Sequence, residues 1–237
     1  ATVLCVDKTG TLTKNQMSIQ RLIVGIGDGE IDVSAAVDLP EETHELIEFG
    51  ILASQRDPFD PMELAFHQLG KQYLADTEHL HGDWELVREY PLSPELLALS
   101  HVWKSPQGRD YVIAAKGAPE AIADLCHLPI EQVRRLLDRV DSLAASGLRV
   151  LGVARGSFRQ SNLPGNQHDF VFEFLGLVGL ADPLRSTAAA AIQECTTAGI
   201  RVAMITGDHP TTAISIAKQV GLPRAELCLT GPELESL

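Results

Sequence analysis

Apolar positions at both ends of the chain follow the alternation of strand and helix that builds parallel sheets. The run Val3 to Val6 is short, apolar and rich in β-branched residues, which predicts a buried strand. From residue 183 onward, helical and extended patterns alternate. These patterns predict a helix over Thr187 to Ala198 that Ser186 caps and Gly199 ends, a second buried strand over Ile200 to Ile205, and a helix over Pro210 to Val220.

The middle of the chain has the pattern of an antiparallel sheet with accompanying helices. Short alternating segments predict strands, and apolar residues at helical spacing predict helices. The predicted strands are Ser18 to Val24, Trp84 to Tyr90, Ala98 to Lys104, Arg109 to Ala115, Leu148 to Ala154 and Phe170 to Leu180. The predicted helices are Pro40 to Ser54, Met62 to Ala75, Ala118 to Leu125 and Ile130 to Ser146, the last ending at Gly147.

Together the two patterns predict an α/β fold with one domain inserted into another. Residues 1–20 and 183–237 form an incomplete Rossmann-like domain on a parallel sheet. Residues 21–182 form an inserted α+β domain on an antiparallel sheet.

Charge and composition exclude several classes of protein. With 19 basic and 32 acidic residues the net charge is −13, which argues against nucleic acid as a partner. The four cysteines have no metal-ligand spacing, so we expect reduced, mostly packed thiols. The histidines form no ligand pair at helical spacing. We expect His79 and His81 to lie in a polar loop and to bind no metal. The most apolar stretch, Phe170 to Ala181, contains Glu173 and is too short to span a bilayer.

Asp7 is the first candidate for chemistry. It ends the first predicted strand, and ligands of open α/β sheets bind at the carboxyl ends of the strands. A loop of small residues follows it, whose N–H groups and hydroxyls can turn toward one point. This combination suits an anionic substrate with a neutralising metal ion, and therefore phosphoryl transfer to Asp7. The alternative is an aspartate that only caps a turn.

Two further segments follow predicted strands. Thr206, Gly207 and Asp208 lie between a strand and a helix, so their hydroxyl and N–H groups can face the same sheet edge as Asp7. The alternative there is an ordinary helix cap by Asp208 or His209.

Lys116 and Gly117 end a strand of the inserted domain. Gly117 allows close backbone approach, and Lys116 offers a point charge for phosphate. The alternative is an ordinary strand-to-helix turn with a solvated lysine. Asp182 and Arg185 lie between the two predicted domains, as a hinge or as a simple turn with solvated charges.

The segment D-K-T-G-T-L-T, Asp7 to Thr13, resembles the phosphorylation motif of the P-type ATPases, ion pumps that carry a transient aspartyl phosphate. The resemblance implies that Asp7 is the nucleophile, that Lys8 and Thr9 contact the transferred phosphate, and that the Thr9 carbonyl joins Asp7 in holding Mg²⁺. Met204 to Asp208 resembles the second phosphate-contacting motif of these pumps and of their parent haloacid dehalogenase superfamily. By that match Thr206 and Gly207 grip the phosphoryl group, and Asp208 lies on the nucleotide side.

Other motifs occur in the order of the same family, type II. Lys116 to Glu120, K-G-A-P-E, resembles the nucleotide-pocket motif, and Asp60 to Glu63, D-P-M-E, resembles the motif whose glutamate faces the adenine. Arg149 falls where the family places an arginine on the ATP phosphates. Asp182 to Arg185 resembles the family's hinge, with Leu184 in place of a proline. The resemblance thus implies nucleotide-binding residues Glu63, Lys116, Gly117, Arg149, Asp182, Arg185, Thr206, Gly207 and Asp208.

The resemblance fails at two positions of the nucleotide pocket. Leu92 stands where the family has an aromatic residue that stacks on adenine, and Leu97 stands where it has a lysine. Stacking of a base on an aromatic ring contributes about 1–3 kcal/mol, so we predict ATP binding weakened roughly ten-fold or more. The family's Gly-Asp-Gly-x-Asn-Asp magnesium motif does not occur, so we expect the 237 residues alone neither to phosphorylate themselves efficiently nor to hydrolyse ATP. Both chain ends look like cuts in a longer protein.

The predicted function is therefore the cytoplasmic catalytic portion of an integral membrane protein, an ATP-driven cation pump with ATP as substrate and Mg²⁺ as cofactor. Its implied partners are the membrane-embedded helices and actuator domain of the same full-length chain, with the transported cation bound elsewhere. One alternative is a soluble phosphatase of the haloacid dehalogenase superfamily, which usually has a second aspartate where this chain has Thr9. Another is a non-catalytic nucleotide-sensing or interaction module, favoured by Leu92 and Leu97.

Overall fold

The computed structural model describes two compact units. Unit 1 contains residues 1–17, 141–149 and 181–237, and unit 2 contains residues 18–140 and 150–180. The domain boundaries predicted from the sequence stay a prediction. The structure describes residues 1–237 except Asp28, Asp76, Gln107, Arg109, Gln160, Ser161, His209, Pro232 and 234–237.

Helices and strands occur along the whole of the described chain and alternate from Ala188 onward. The strands are β1 (Val3–Asp7), β2 (Ser18–Val24), β3 (Glu30–Asp32), β4 (Glu85–Tyr90), β5 (Ala98–Lys104), β6 (Tyr111–Gly117), β7 (Arg149–Phe158), β8 (Phe172–Ala181) and β9 (Arg201–Ile205). The α-helices are α1 (His44–Leu52), α2 (Pro61–Tyr73), α3 (Pro119–Leu125), α4 (Ile130–Ala145), α5 (Ala188–Thr197) and α6 (Pro210–Gln219). Short 3₁₀ turns occupy Val33–Ala35, Glu41–Thr43 and Gln167–Asp169.

Unit 1 contains a two-stranded parallel sheet of β1 and β9, as predicted. Helices α5 and α6 cover one face of this sheet, because alternate strand residues turn toward them. The resulting core consists of Leu12, Ala188, Ile192, Ala217, Val220 and Leu222, with Val6, Val202 and Met204 packed against it.

Unit 2 contains a seven-stranded antiparallel sheet in the order β3-β2-β8-β7-β6-β5-β4. Helix α1 packs on α2 and on β6. A Cβ added at Gly50 of α1 would lie 2.2 Å from the Phe66 ring of α2, so the absence of a side chain lets the two helices approach. The predicted fold class, a parallel-sheet domain with an inserted antiparallel one, is confirmed.

The prediction that the strands of unit 1 are buried is wrong. Val3 is 42%, Leu4 41% and Ile205 60% exposed. A continuous apolar run is typical of a strand whose sheet has helices packed on both faces. Among the described residues, α5 and α6 cover one face of β1 and β9.

Two smaller predictions also need correction. Thr187, and not Ser186, is the N-cap of α5, with a helical backbone and no side-chain cap hydrogen bond. Strand β3 and the four residues that extend β7 to Phe158 were missed, because cross-strand pairing rather than local composition places them in the sheet. Arg109, where one strand was predicted to start, lies outside the described residues.

The cysteine prediction is partly wrong, whereas His79 and His81 lie in a loop as predicted. In that loop, His79 Nδ1 and His81 Nε2 lie 2.5 and 2.7 Å from the two carboxylate oxygens of the buried Glu48. The described residues contain no group of three or more His, Cys, Asp or Glu side chains arranged to hold a metal ion. The cysteines are free as expected, but Cys5 and Cys228 are exposed rather than packed. No helix in the described part of the chain has the length and apolar character needed to cross a membrane.

Candidate functional site

The parallel pairing of β1 with β9 places two predicted phosphate-contacting segments at one sheet edge. Asp7 pairs with Ile205 at the carboxyl ends of the two strands. The loops that begin at Lys8 and Thr206 therefore start next to each other. Asp7 itself is exposed at this edge, so its carboxylate is accessible to a ligand.

Lys8 and Asp208 meet across this edge. The Lys8 Nζ lies 2.7 Å from Asp208 Oδ2, and their side chains are 6% and 12% exposed. The contact is an ion pair between two largely buried side chains. The Asp208 N–H donates to the Thr206 hydroxyl at 3.1 Å, which closes a tight turn. Three predicted site residues, Lys8, Thr206 and Asp208, are thus brought together.

Thr13 organises the loop that follows Asp7. Gly10 has φ +78°, a conformation that favours glycine, and its N–H donates to Thr13 Oγ1 at 3.1 Å. The Thr13 N–H donates to the Lys8 carbonyl at 3.1 Å. Thr13 is fully buried, so this hydroxyl fixes the turn over residues 8–13.

Asp182 and Arg185 hold the same loop from the other side. The Thr13 hydroxyl donates to Asp182 Oδ2 at 2.6 Å, and the Gln16 N–H donates to Asp182 Oδ1 at 3.1 Å. Arg185 donates from its guanidinium to the Gly10 carbonyl at 2.9 Å. Both oxygens of the Asp182 carboxylate are therefore engaged within unit 1. These contacts give Asp182 and Arg185 a structural role, and their predicted nucleotide contacts stay predictions.

Replacing Thr13 with valine tests this arrangement. The change removes the donor to Asp182 and the acceptor for Gly10, and an unsatisfied buried polar group costs about 1–3 kcal/mol. We expect faster hydrogen–deuterium exchange in residues 8–16. Thr11→Val, at an exposed position of the same loop, is the control. Equal exchange in both variants would contradict the role given to Thr13.

The oxygen atoms near Asp7 suit a magnesium ion. Mg²⁺ prefers carboxylate and carbonyl oxygens, with water and substrate phosphate completing its coordination. Asp7 offers an exposed carboxylate. Thr9 has an extended backbone, φ −74° and ψ 122°, so its carbonyl is not used in a regular helix. These residues fit the predicted ion, and magnesium binding by Asp7 and Thr9 stays a prediction.

The second group of site residues lies in unit 2. Lys116, at the end of β6, is buried, and its Nζ lies 2.8 Å from Glu63 Oε1 and donates to Ser54 Oγ at 2.6 Å. Glu63 is in the first turn of α2, where Asp60 caps the N–H groups of Met62 and Glu63. Two predicted nucleotide-binding residues, Lys116 and Glu63, are thus paired with each other.

Burial shifts the pKa values of two basic side chains in this cluster. Burial lowers the pKa of Lys116, while the hydrogen bond and negative charge of Glu63 act in the opposite direction. Burial also lowers the pKa of His101 against the attraction of Glu89, and the Lys116 charge lowers it further. His101 Nδ1 lies 3.1 Å from the Leu52 carbonyl, so this nitrogen carries the proton.

His101 predicts a pH dependence of stability for unit 2. Because its pKa is lower in the folded state, the unfolded chain binds more protons below the ordinary pKa of about 6.5, and stability falls as the pH drops through that range. We expect His101→Asn to reduce the loss of unfolding free energy between about pH 7.5 and 5.5. Urea titration followed by tryptophan fluorescence measures this. His127→Asn, at an exposed site with φ 49° that asparagine accepts, is the control and should keep the wild-type slope.

The strand next to Gly117 explains why this residue is a glycine. A Cβ at this position would lie 2.3 Å from the Leu97 carbonyl oxygen and 2.5 Å from Ala98 Cα. This close contact with the start of β5 accounts for the glycine, and nucleotide binding by Gly117 stays a prediction. Leu92 and Leu97 are 55% and 48% exposed. Arg149 is exposed in unit 1, at the start of β7, and its contact with ATP phosphates stays a prediction.

Sequence reasoning missed three residues of these sites. Ser54 contacts Lys116, Thr13 anchors the loop after Asp7, and His101 is buried close enough to Lys116 and Glu63 for their charges to act on its pKa. Thr13 is the last residue of the D-K-T-G-T-L-T segment, but the sequence pattern assigned it no role. Ser54 and His101 had no signal in the sequence, because their positions depend on contacts between distant segments.

The chain is similar to a family of hydrolases and to several cation-transporting ATPases. The family model of haloacid dehalogenase-like hydrolases matches residues 1–230. A sodium/potassium exporting P-type ATPase of Schizosaccharomyces pombe is 30% identical over 93% of the chain, and a probable cation-transporting ATPase F of Mycobacterium bovis is 33% identical over 100% of it. A calcium-transporting ATPase of Bacillus cereus is 29% identical over 100% of the chain. The chain spans 26%, 30% and 28% of the length of these three relatives, respectively.

Proposed function

Because the chain belongs to the haloacid dehalogenase-like hydrolase family, we propose that it is the catalytic portion of an ATP-driven cation pump. Asp7 is the acceptor of the γ-phosphoryl group of ATP. The curated relatives are named as P-type or cation-transporting ATPases, which supports this function. Their names mention sodium and potassium, calcium, or an unspecified cation, so the proposal extends to cations as a class.

The proposed reaction transfers one phosphoryl group. A carboxylate oxygen of Asp7 attacks the γ-phosphorus, the bond from that phosphorus to the bridging oxygen breaks, and ADP leaves with the bonding electrons. The product is an acyl phosphate, which divides a difficult hydrolysis into two easier displacements. Mg²⁺ held by Asp7 and Thr9 would neutralise charge on the transferred group. Lys8 adds a positive charge beside the acceptor, and Thr206 and Gly207 supply donors to the phosphoryl oxygens.

The observation that carries this proposal is the parallel register of β1 and β9. It brings the loop after Asp7 and the loop after Ile205 to one edge, where Lys8 and Asp208 lie 2.7 Å apart. A carboxylate that only caps a turn does not require a second strand-to-helix loop with a hydroxyl, a glycine and an acid beside it. The arrangement therefore favours phosphate chemistry over a simple turn.

We assign nucleotide binding to the pocket of Glu63 and Lys116 in unit 2. Leu92 and Leu97 are partly exposed and offer neither an aromatic ring nor a positive charge. We therefore expect the 237-residue chain to bind ATP weakly and to turn it over slowly. In the intact protein, phosphorylation of Asp7 is relayed to the actuator domain and to membrane-embedded helices, with this portion on the cytoplasmic side.

Trapping of the phosphorylated protein tests this function. Full-length protein mixed with γ-labelled ATP and Mg²⁺ should carry label after acid quenching, and hydroxylamine should release it because it cleaves acyl phosphates. Label that resists hydroxylamine, or none at all with active protein, would contradict the proposal.

The two alternatives give different results in the same experiment. A soluble phosphatase hydrolyses its acyl phosphate quickly, whereas Thr9 in place of an acid favours a long-lived phosphoenzyme. A nucleotide-sensing module binds ATP without labelling. The buried Lys116–Glu63 pair is compatible with that third function, and ATP-dependent chemical shifts near Lys116 without any label would favour it.

A further inference from the structure

Phe59 is an exposed aromatic residue four positions before Glu63, next to the N-cap of α2. It is 96% exposed, and among the described residues no other Phe, Tyr or Trp belongs to the exposed class. Aromatic side chains normally bury a large apolar area, so a ring exposed to this extent offers a large apolar face to a ligand. Phe59 lies in the segment that joins α1 to α2.

The segment around Phe59 is held in place at several points. The Gln55 N–H donates to Glu63 Oε2 at 3.2 Å, and the Arg56 guanidinium carbon lies 5.2 Å from the centre of the Trp103 ring. Asp60 caps α2 by accepting from the Met62 N–H at 2.8 Å. Phe59 is therefore carried by a fixed backbone, and a ligand that contacts it loses little chain entropy.

The ring is not used to stabilise helix α2. A hydrophobic residue just before an N-cap often packs on the fourth helical residue, which here is Leu64. Phe59 is 96% and Leu64 is 38% exposed, so almost all of the Phe59 side chain is open to solvent. Packing within the chain does not account for the ring.

The position of Phe59 relates it to the nucleotide pocket. Asp60, the next residue, caps the same helical turn that carries Glu63, and Glu63 contacts Lys116 at 2.8 Å. Leu92 and Leu97 provide only aliphatic carbon. Every nucleobase has an aromatic face that stacks on a protein ring, and such stacking depends little on which base it is.

We propose that the base of the bound nucleotide stacks on the Phe59 ring. This inference rests on the proposed nucleotide binding by Glu63 and Lys116, and it adds the residue that recognises the base. The ring supplies a stacking surface that Leu92 lacks, and ATP binding stays weak because Leu97 offers no positive charge for the phosphates. The phosphates gain nothing from Phe59, because a neutral ring has no hydrogen-bond donor for them.

Binding of ATP and of inorganic tripolyphosphate to the 237-residue chain separates base from phosphate recognition. Phe59→Ala should weaken ATP binding about ten-fold and leave tripolyphosphate binding unchanged. Phe59→Trp should keep the ATP affinity, and its added fluorescence should respond to ATP but not to tripolyphosphate. Val171→Ala, which truncates a side chain 83% exposed in the same unit, should bind both ligands like the wild type.

Each other outcome has a separate meaning. If Phe59→Ala binds ATP like the wild type while Lys116→Met binds it less tightly, the pocket is correct and the role of Phe59 is wrong. If the wild type binds ATP no better than tripolyphosphate, the base is not recognised, and the inference is again wrong. If the wild type binds no ATP at millimolar concentration, nucleotide binding by unit 2 fails and the inference fails with it.

Discussion

Asp7→Asn is expected to abolish the phosphoenzyme and to lower ATP turnover of the full-length protein by at least about 10³-fold, as loss of a covalent nucleophile does. The amide is neutral and nearly isosteric, so it removes the nucleophile without removing bulk. Because Asp7 is exposed at the end of β1, the substitution should not change the unfolding free energy of unit 1 appreciably. The effect is therefore chemical and not structural.

Acid-quenched labelling with γ-labelled ATP, together with steady-state ATP hydrolysis, measures this effect. Asp141→Asn, at an exposed position of unit 1, is the matched control and should retain label and turnover. Label on the Asp7→Asn protein at the wild-type level would place the acceptor elsewhere.

Glu63→Ala is expected to destabilise unit 2 by about 3–5 kcal/mol, because it leaves the buried Lys116 ammonium without its opposite charge. Ser54 would remain as its hydrogen-bond partner. The loss should be smaller in alkaline solution. Burial lowers the pKa of Lys116, so the folded state releases this proton more readily than the unfolded chain, and stability rises with pH.

Urea unfolding followed by tryptophan fluorescence reports on this unit, since Trp84 and Trp103 both belong to it. Glu131→Ala breaks an exposed ion pair with Arg134, whose side chains are 74% and 68% exposed, and should change stability by less than about 1 kcal/mol. The double variant Glu63→Leu with Lys116→Met should recover much of the lost stability, because it removes both charges. Destabilisation by Glu63→Ala no larger than by Glu131→Ala would show that the pair is not energetically important.

Local sequence was sufficient for most elements of the fold. Strands β2 and β5 occupy the residues predicted, because alternation of apolar and polar positions is a property of a few neighbouring residues. The end of α4 before Gly147, with φ +84°, follows from the conformational freedom of one residue. The two-part α/β architecture followed from the change of periodicity along the chain.

The burial of the strands and their pairing could not be predicted from local sequence. The composition of Val3 to Val6 indicates a strand, but whether a helix covers each face depends on segments almost 200 residues away in sequence. The same limitation applies to β3, whose three residues join the sheet through β2. Propensity describes a residue's local preference, and tertiary contacts decide its surroundings.

The sequence by itself determined which groups are available for chemistry: a carboxylate in D-K-T-G-T-L-T, a second strand-to-helix loop with a threonine, a glycine and an aspartate, and a lysine and a glutamate in the middle of the chain. Only the tertiary structure decided how these groups are held. It pairs Lys8 with Asp208 and Lys116 with Glu63, engages Asp182 with Thr13, and leaves Phe59 open to solvent. Side-chain type is encoded residue by residue, whereas the partner of a buried charge depends on which distant segments fold against it.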